Sequence, residues 1–293
     1  MDSYVVGIGE ALWDMLPAGK QLGGAPSNFA FHVTQLGLQA KVVTALGCDT
    51  LGDEIADFFQ SKDIDSLVAR VAYPTGTVQV ELDEAGVPSY EIKTEVAWDY
   101  IPYDSAMEEL ARSTQVVCFG SLAQRSTISR NTIYRFLEAM PKTEGVLKVF
   151  DINLRQQFYT KEIIQESLKR CNILKINDEE LVTVSKLFDI KYVSVVEQCR
   201  ELLQKYELKM VILTCGENGS YIVAENQTSY RETPKVEVVD TVGAGDAFTA
   251  AFIAGILKGK TVTDAHSLAV NVSAYICTQQ GAMPEIPYIK TLV

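Results

Sequence analysis

The sequence lacks several features that would assign it to whole classes of protein. Only 26 lysine and arginine residues stand against 38 aspartate and glutamate residues, so the formal net charge is −12 at pH 7. Such a charge repels nucleic acid and anionic membranes, and no basic patch in the sequence offsets it. No apolar run approaches the roughly 18 residues that a membrane-spanning helix needs. We therefore expect a protein that binds neither nucleic acid nor membrane.

Cysteine and histidine are also sparse. The six cysteines are scattered without a C-x-x-C pair, and most lie in apolar runs such as VVCFG. This pattern indicates buried thiols in a reducing compartment rather than disulfides or a zinc site. The two histidines, His32 and His266, have no neighbouring catalytic motif, so we interpret both as packing residues. The start, MDSYVVGIGEALWD, is unlike a signal peptide, and we expect a cytoplasmic location.

What the sequence does contain is a long alternation of strand and helix patterns. Its 293 residues, 47% of them hydrophobic, suffice for the core of one large domain. Amphipathic helix patterns occur in APSNFAFHVTQLG, RNTIYRFLEAM and VVEQCRELLQKY. This order predicts an α/β fold whose helices cover both faces of a layered sheet. Strand candidates, several of them apolar on both faces as buried parallel strands require, are YVVGIG, KVVTALG, VVCFGS, VLKVFDIN, ILKIN and MVILTCG.

One region departs from this alternation. Between Pro74 and Ile92, apolar and polar residues alternate around a turn signal at residues 84–86, which predicts a β-hairpin with one solvated face. Segments at about 11–23 and 74–100 would then form a small sheet that projects from the main domain. Such a sheet over a crevice at the end of the main sheet would act as a lid. An edge hairpin without a role in function is the alternative.

The most specific motif is VVDTVGAGDAF, in which Gly243, Ala244 and Gly245 precede Asp246. We expect a strand, KVEVVD, before this loop and a helix after it. Glycines permit close approach of the backbone to a ligand, and a helix start leaves amide groups free to bind an anion. The amides of residues 242–245 would hold charge on a transferring phosphoryl group, while Asp246 orients a hydroxyl. The helix end should keep Asp246 ionised.

Two parts of the sequence carry a family resemblance. DTVGAGDAF resembles the C-terminal signature of the ribokinase-like (PfkB) carbohydrate kinases, and GGAPSNFAFHVTQLG resembles their N-terminal signature. The signatures lie in the expected order, and the resemblance covers essentially the whole chain. It implies one kinase domain over residues 1–293, a ribokinase-like three-layer α/β/α sandwich with a small β-sheet lid. It also implies that Asp246 is the catalytic aspartate above an anion hole of Gly243, Ala244 and Gly245.

The resemblance assigns further residues to ATP. NDEE is similar to the N-x-x-E motif of the family, so Asn177 and Glu180 would organise Mg²⁺-bound phosphates, with Glu180 acting partly through water. A capped helix start is the alternative for this pair. TCGENGSYIV matches the nucleotide side, which places Thr214, Gly216 and Gly219 near the phosphates and ribose.

Two more assignments follow from the resemblance, one for the nucleotide and one for a cation. Asn271 matches a nucleotide-site position, with a surface polar residue as the alternative. Asp240 and the carbonyl groups of Val242 and Gly281 match a monovalent-cation site that would bind K⁺. The partners implied are therefore ATP, Mg²⁺, K⁺ and a small sugar, and a homodimer through the lid is expected.

The sugar would be held near the first signature. By resemblance, Asp14, Gly24 and Asn28 bind its hydroxyls, and Arg155 lies near the phosphates. GGAPSN and EVAWDYIP are similar to the fructokinase branch of the family, which implies fructose as the acceptor. Aromatic residues that would either wall the sugar or fill the core are Trp13, Phe29, Tyr90 and Trp98.

The acceptor has alternatives. A 2-keto-3-deoxygluconate kinase would need a cation for the substrate carboxylate, and the lid position where such enzymes carry arginine holds Ile92 here. Strand alternation should turn Lys93 to the opposite face. A neutral sugar is therefore favoured, with 2-keto-3-deoxygluconate kinase or ribokinase as alternatives within the class. A non-catalytic sugar or nucleotide sensor is the alternative from another class.

Overall fold

The computed structural model describes residues 3–16, 19–82, 88–191 and 193–287. The expected turn at residues 84–86 lies outside these ranges. The strands, numbered along the chain, are β1 (Tyr4–Ile8), β2 (Leu12–Leu16), β3 (Gly19–Gly23), β4 (Ala40–Gly47), β5 (Asp65–Val71), β6 (Gly76–Leu82), β7 (Pro88–Ile92), β8 (Thr114–Phe119), β9 (Leu147–Asp151), β10 (Ile173–Asn177), β11 (Met210–Thr214), β12 (Ser220–Ala224) and β13 (Thr228–Arg231).

The helices follow the predicted amphipathic segments and the intervals between strands. Two of them begin at motifs of the sequence: the first signature starts a helix after Gly24, and the second starts one after Gly243. The α-helices are α1 (Ala25–Gln35), α2 (Thr50–Ser61), α3 (Ser105–Arg112), α4 (Thr127–Ala139), α5 (Lys161–Leu168), α6 (Asp178–Phe188), α7 (Val195–Lys205), α8 (Ala244–Leu257) and α9 (Val262–Cys277). No helix in the described ranges is long and apolar enough to cross a membrane.

The main sheet has nine strands in the described residues, in the order β13-β12-β11-β10-β9-β8-β1-β4-β5. Neighbouring strands are parallel, except that β12 runs antiparallel to both β11 and β13. All six strand candidates of the sequence lie in this sheet. The prediction of a strand at KVEVVD is wrong, because residues 235–240 pair with no described strand. Val238 and Val239 in this segment are 60% and 62% exposed.

Alternating residues of the sheet feed two separate cores, which makes the fold three-layered. Val6 and Ile8 of β1 pack into a core with α3, α4, α5, α6 and α7. Val5 of the same strand packs on the other face with α1, α2, α8 and α9. Because successive side chains of a strand point to opposite faces, each buried strand contributes to both cores. The predicted three-layer α/β/α sandwich is confirmed.

The small sheet is also present. Its strand order is β3-β2-β6-β7, with β2 parallel to β6 and antiparallel to β3, and β6 antiparallel to β7. The two segments that form it lie within the predicted lid ranges. Beyond β7, residues Ala97–Tyr100 form a 3₁₀ turn that buries Trp98 completely in the main core, so the projecting part of the second segment ends near Ile92.

The strand order places a crevice at one point of the main sheet. β1 lies between β4 and β8, so the chain first builds one half of the sheet and then returns to build the other. Such a switch point leaves room at the carboxyl ends of the strands, where α/β proteins bind ligands. The small sheet continues directly from this end of β1 through residues 9–11.

Candidate active site

A cavity of about 820 Å³ lies between the small sheet and the carboxyl ends of the main strands. It is the size of a site for a ligand larger than a single sugar. Its walls join both sequence signatures with residues that follow β9, β10 and β11. The lining residues include Glu10, Asp14, Gly24, Asn28, Val78, Ile92, Asp151, Arg155, Lys175, Asn177, Glu180, Thr214, Asp240, Val242, Gly243, Gly245 and Asp246.

Asp246 is the third residue of α8, and a hydrogen bond from the other signature fixes its carboxylate. The Asn28 amide nitrogen Nδ2 donates to Asp246 Oδ2 at 2.7 Å. Asn28 lies in α1, which packs directly against α8. The two motifs, 218 residues apart in sequence, therefore meet at one carboxylate, and Asn28 orients it toward the cavity.

The turn before α8 requires glycine at residue 243. Gly243 caps the helix in the left-handed conformation, with φ of 77°. A Cβ atom there would stand 2.7 Å from the Cα and carbonyl oxygen atoms of Ala282, a distance that neither backbone could tolerate. This close contact holds the loop against the C-terminal segment and fixes the start of α8.

The amides of this loop do not all face the cavity. The Val242 amide donates to Asp240 Oδ1 at 3.0 Å, and the Ala244 amide turns back to the carbonyl of Thr241 at 3.3 Å. The expectation that all four amides of residues 242–245 converge is therefore wrong for Val242 and for Ala244, so the anion hole expected of Gly243, Ala244 and Gly245 has no free amide at Ala244. Among the described residues, the amides of Gly243, Gly245 and Asp246 have no acceptor, so these are free to bind an anion.

The protonation of Asp246 also differs from expectation. Burial raises its pKa to about 7, with a further rise from the charge of Asp151, while the Asn28 hydrogen bond and Lys175 oppose the change. The favourable helix end was expected to keep this carboxylate ionised, but burial among other acids outweighs it. A carboxyl group with a pKa near neutrality can take up a proton from a hydroxyl group at physiological pH.

The sugar-binding candidates line the lid side of the cavity. Asp14 lies on β2 and Gly24 caps α1. Burial raises the pKa of Asp14 to about 6, and Arg155 opposes this change. The cavity brings these residues together with Asn28 and with the exposed Arg155, as the sequence predicts. The Oδ1 atom of Asn28 is buried and accepts no hydrogen bond in the described chain.

Glu10 is a further acid that the sequence analysis missed. It follows β1, is 1% exposed and lines the cavity. Burial raises its pKa to about 7, its own backbone amide opposes this, and the charge of Asp246 adds to it. Its Oε2 atom accepts no hydrogen bond from the described residues. The sequence GIGEALW contained a signal for this residue, because it places an acid directly after an apolar strand. Acids at such positions are seldom buried unless they have a binding partner.

Asn177 and Glu180 form a reciprocal cap at the start of α6. The Asn177 side chain accepts from the Glu180 amide at 2.8 Å, and Glu180 Oε2 accepts from the Asn177 amide at 2.9 Å. Glu180 Oε1 also accepts from the Leu154 amide at 2.9 Å. Both carboxylate oxygens are thus engaged by the backbone, so contact with a hydrated Mg²⁺ would be through water. The capping alternative is therefore observed, and both capping residues also line the cavity.

The remaining nucleotide candidates lie at different distances from the cavity. Thr214, at the end of β11, lines it. Gly216 begins the short 3₁₀ turn after that strand and Gly219 follows it, and neither residue lines the cavity. Asn271 is exposed on α9 and is likewise outside the lining. The structure therefore places Thr214 in the wall of the cavity and the other three outside that wall.

The candidate cation residues meet at one carboxylate. Asp240 Oδ1 accepts from the Val242 amide and Oδ2 accepts from the Gly281 amide, each at 3.0 Å. This arrangement brings Asp240, Val242 and Gly281 together through the two amides, and not through the carbonyl groups that the resemblance assigns to the cation. Among the residues that the structure describes, no cluster of three or more histidine, cysteine, aspartate or glutamate side chains could hold a metal ion alone. A metal at this site would therefore depend on carbonyls, water or phosphate for most of its ligands.

A buried cation lies below the glycine loop. Lys175 of β10 is 7% exposed, and its Nζ atom lies 3.3 Å from Oδ1 of Asp151 at the end of β9. Burial alone would lower the pKa of Lys175, but the carboxylates of Asp151, Glu180 and Asp246 hold it above its ordinary value. Both residues line the cavity. Sequence reasoning missed them, although a charge within each apolar strand pattern, VLKVFDIN and ILKIN, was a signal.

The aromatic and histidine candidates belong to the packing. Trp13, Phe29 and Trp98 are buried in the two cores and do not line the cavity, and the side chain of Tyr90 lies outside the described residues. His32 and His266 are fully buried, and burial lowers the pKa of each to about 4. The interpretation of both histidines as packing residues is consistent with these positions.

The fold and the site define an α/β enzyme that places an acid beside a helix-start anion site under a sheet lid, as phosphoryl transfer requires. The family model described as pfkB family carbohydrate kinase matches residues 18–288. The chain belongs to the PfkB family, and it is a sugar kinase of that family.

Individual relatives agree with this membership. The chain is 28% identical to a fructokinase of Salmonella typhimurium, over 100% of this chain and 99% of that protein. It is also 28% identical to an ATP-dependent 6-phosphofructokinase of Thermoanaerobacterium thermosaccharolyticum, over 98% of this chain and 92% of that one. The crystal structure of an uncharacterized sugar kinase from Pyrococcus horikoshii shares 25% identity, with a TM-score of 0.82 and coverage of 99% and 96%. A Xylella fastidiosa fructokinase with bound ATP, at 20% identity, shares the fold with a TM-score of 0.84 and coverage of 100% and 98%.

Proposed function

We propose that this kinase transfers the γ-phosphoryl group of ATP to a neutral sugar, and that D-fructose is the acceptor, giving fructose 6-phosphate. The observation that carries the proposal is the charge of the lid side of the cavity. The carboxylates of Glu10 and Asp14 lie there with Asn28, while Val78 and Ile92 supply an apolar wall. The partly exposed carboxylate of Asp14 offers acceptors to the hydroxyl donors of a sugar, with the side chains of Glu10 and Asn28 beside it in the cavity wall.

The same charges disfavour an anionic acceptor. Arg155 is the one cation of the lid side among the described lining residues, and its charge already acts on Asp14 and Glu10. Ile92 faces the cavity, whereas Lys93 pairs with Glu91 outside it at 2.7 Å. A substrate phosphate or carboxylate would therefore meet acids without a cation of its own. This argues against fructose 6-phosphate and 2-keto-3-deoxygluconate as acceptors, and ribose remains the neutral alternative.

The residues divide the work of the reaction. In the proposed reaction Asp246, oriented by Asn28, holds the acceptor hydroxyl and takes its proton, while the free amides of Gly243 and Gly245 bind the transferring charge. Thr214 and Asn177 lie on the nucleotide side, with Gly216, Gly219 and Asn271 farther out. Mg²⁺, when bound, would neutralise the phosphates, with Glu180 holding its water.

Two features at the edge of the site complete the proposal. Asp240 and the carbonyl groups of Val242 and Gly281 would hold K⁺ beside the glycine loop, so K⁺ would raise kcat by ordering the start of α8. We also propose a homodimer through the lid sheet. Light scattering would then report about twice the chain mass of 32.3 kDa, and a single-chain mass would refute the dimer.

A coupled ADP-release assay tests the acceptor. ATP and Mg²⁺ are supplied with fructose, ribose, 2-keto-3-deoxygluconate, fructose 6-phosphate or no sugar, each with K⁺ and with Na⁺. We expect kcat/KM for fructose to exceed that of every other acceptor by at least tenfold, about 1.4 kcal/mol of discrimination. A higher value for either anionic acceptor would refute the charge argument. Sugar binding without ADP release on any acceptor would favour a sensor.

A further inference from the structure

Lys175 is a buried charge that the proposed reaction has not yet used. Its ammonium group makes one ion pair, with Asp151, and the distance of 3.3 Å is long for a charge-assisted hydrogen bond. Among the described residues, Asp151 Oδ1 is buried without a hydrogen-bond donor, and Asp151 Oδ2 accepts only from the Thr249 hydroxyl, at 3.4 Å. A buried ion pair with such loose geometry costs more in desolvation than it returns, so it is a poor device for stability alone.

The position of Lys175 suggests what the charge is for. A Cβ atom on Gly245 would stand 3.1 Å from Lys175 Nζ, so the ammonium group lies directly against the loop that begins α8. The amides of Gly245 and Asp246 are free at this point. The helix N-terminus and the ammonium group therefore present positive charge to the same end of the cavity.

Neighbouring acids keep this group charged. The carboxylates of Asp151 and Glu180 raise the pKa of Lys175 against the effect of burial, so the side chain stays protonated at neutral pH. A fixed cation in a site of low polarity stabilises developing negative charge more strongly than one in water. Arg155 is the other cation among the described lining residues; it is exposed, and its charge also acts on Asp151 and Asp246.

We propose that Lys175 is a catalytic residue whose ammonium group binds the oxygens of the transferring phosphoryl group, and that Asp151 positions it. The assignment rests on the proposed phosphoryl transfer. As the bond from the γ-phosphorus to the ADP oxygen breaks, a bond forms to the sugar oxygen. The hydroxyl proton passes to Asp246, and Lys175 keeps its proton throughout. The resulting phosphoryl charge then lies between Lys175 and the start of α8.

Substitutions at Lys175 and one matched control separate catalysis from folding. Lys175→Met removes the charge but leaves Asp151 buried and unpaired, which can prevent folding. The double variant Lys175→Met/Asp151→Asn removes both charges and leaves no ion in the apolar site. Lys148→Met is the control, because Lys148 is also a partly buried strand lysine but donates to the Leu137 carbonyl away from the cavity.

Two readouts are measured on each folded variant, with circular dichroism to establish folding. Calorimetry gives the affinity for Mg²⁺-ADP with and without aluminium fluoride, a mimic of the transferring phosphoryl group, both with fructose and without it. We expect aluminium fluoride to tighten binding at least tenfold in the wild type and in Lys148→Met, and less than twofold without Lys175. Affinity for ADP alone should change less than threefold. We also expect kcat to fall by about 10²-fold to 10³-fold, as for other lost oxyanion donors, with KM for the sugar unchanged.

The outcomes separate this assignment from the proposed function. If the double variant folds, keeps the aluminium fluoride effect and keeps kcat within threefold of wild type, Lys175 is structural and the assignment is wrong. If the wild type phosphorylates no sugar in the panel, the proposed function fails. The aluminium fluoride comparison needs no turnover, so it would still decide whether Lys175 binds a phosphoryl group.

Discussion

Asp246→Asn should inactivate the enzyme and at the same time stabilise it. The substitution replaces a buried carboxyl group by a neutral amide of nearly the same shape, and its oxygen can still accept from Asn28 Nδ2. Without a carboxylate the acceptor hydroxyl loses its proton acceptor. We expect kcat to fall by about 10²-fold to 10⁴-fold, the usual range for a residue that handles a proton.

The gain in stability follows from the pKa of Asp246. Its value of about 7 in the folded protein lies well above the value near 4 of an unfolded chain. The folded state therefore binds this proton more tightly than the unfolded state, so stability is lost as pH rises from about 4 to about 7. The Asp246→Asn variant has no carboxyl group at this position, so its stability should not fall for this reason as pH rises. The gain above pH 7 should be roughly 1–4 kcal/mol, or about 2–8 °C in Tm.

Thermal unfolding at pH 4.5 and pH 8 is the assay. Asp246→Asn should differ little from wild type at pH 4.5 and melt several degrees higher at pH 8. Asp99→Asn is the matched control, because Asp99 is also buried but is paired with Arg125 at 2.8 Å. Leaving Arg125 unpaired should lower stability by about 3–5 kcal/mol. A lower Tm for Asp246→Asn than for wild type at pH 8 would refute the reasoning.

Three further substitutions test separate parts of the site. Gly243→Ala should lower Tm and abolish turnover, because the new Cβ atom would collide with Ala282. The control is Gly259→Ala, where φ is 79° and the surrounding space is open, so the free energy of unfolding should fall by only about 1–2 kcal/mol and activity should be kept. Equal losses in the two variants would contradict the steric argument. Ile92→Arg should raise the ratio of kcat/KM for fructose 6-phosphate to kcat/KM for fructose at least tenfold in the ADP-release assay. An unchanged ratio would show that residue 92 does not discriminate between neutral and anionic sugars. The Glu180→Gln side chain cannot accept hydrogen bonds from both the Leu154 and Asn177 amides. This variant should therefore need a higher Mg²⁺ concentration for half-maximal rate. An unchanged Mg²⁺ requirement would show that Glu180 does not contact the hydrated metal.

The layered fold and its central strands could be predicted from the sequence because buried parallel strands are apolar on both faces. Val211–Leu213 show this pattern without interruption, and Ile173–Ile176 show it except at Lys175. The edge strands β5 and β13 carry mixed, partly exposed residues and were not predicted. KVEVVD has the alternation of a strand but pairs with no strand in the described part of the chain, and only the three-dimensional arrangement reveals that.

The site was predictable where a motif carries it and not where burial sets its chemistry. The glycine loop, Asp246 and Asn28 were found from the two signatures, and the structure joins them by a hydrogen bond of 2.7 Å. The raised pKa of Asp246 and the burial of Glu10 depend on residues distant in sequence. Lys175 was overlooked because a lysine in a strand is ordinarily a surface residue, and its partner Asp151 lies on a different strand.

Phosphorus NMR of the product tests the central claim most directly. Wild type and Asp246→Asn are incubated with ATP, Mg²⁺ and fructose, and the phosphomonoester is compared with authentic fructose 6-phosphate and fructose 1-phosphate. We expect fructose 6-phosphate from the wild type and at least a hundredfold less from Asp246→Asn. No sugar phosphate from the wild type, or equal amounts from both proteins, would contradict it.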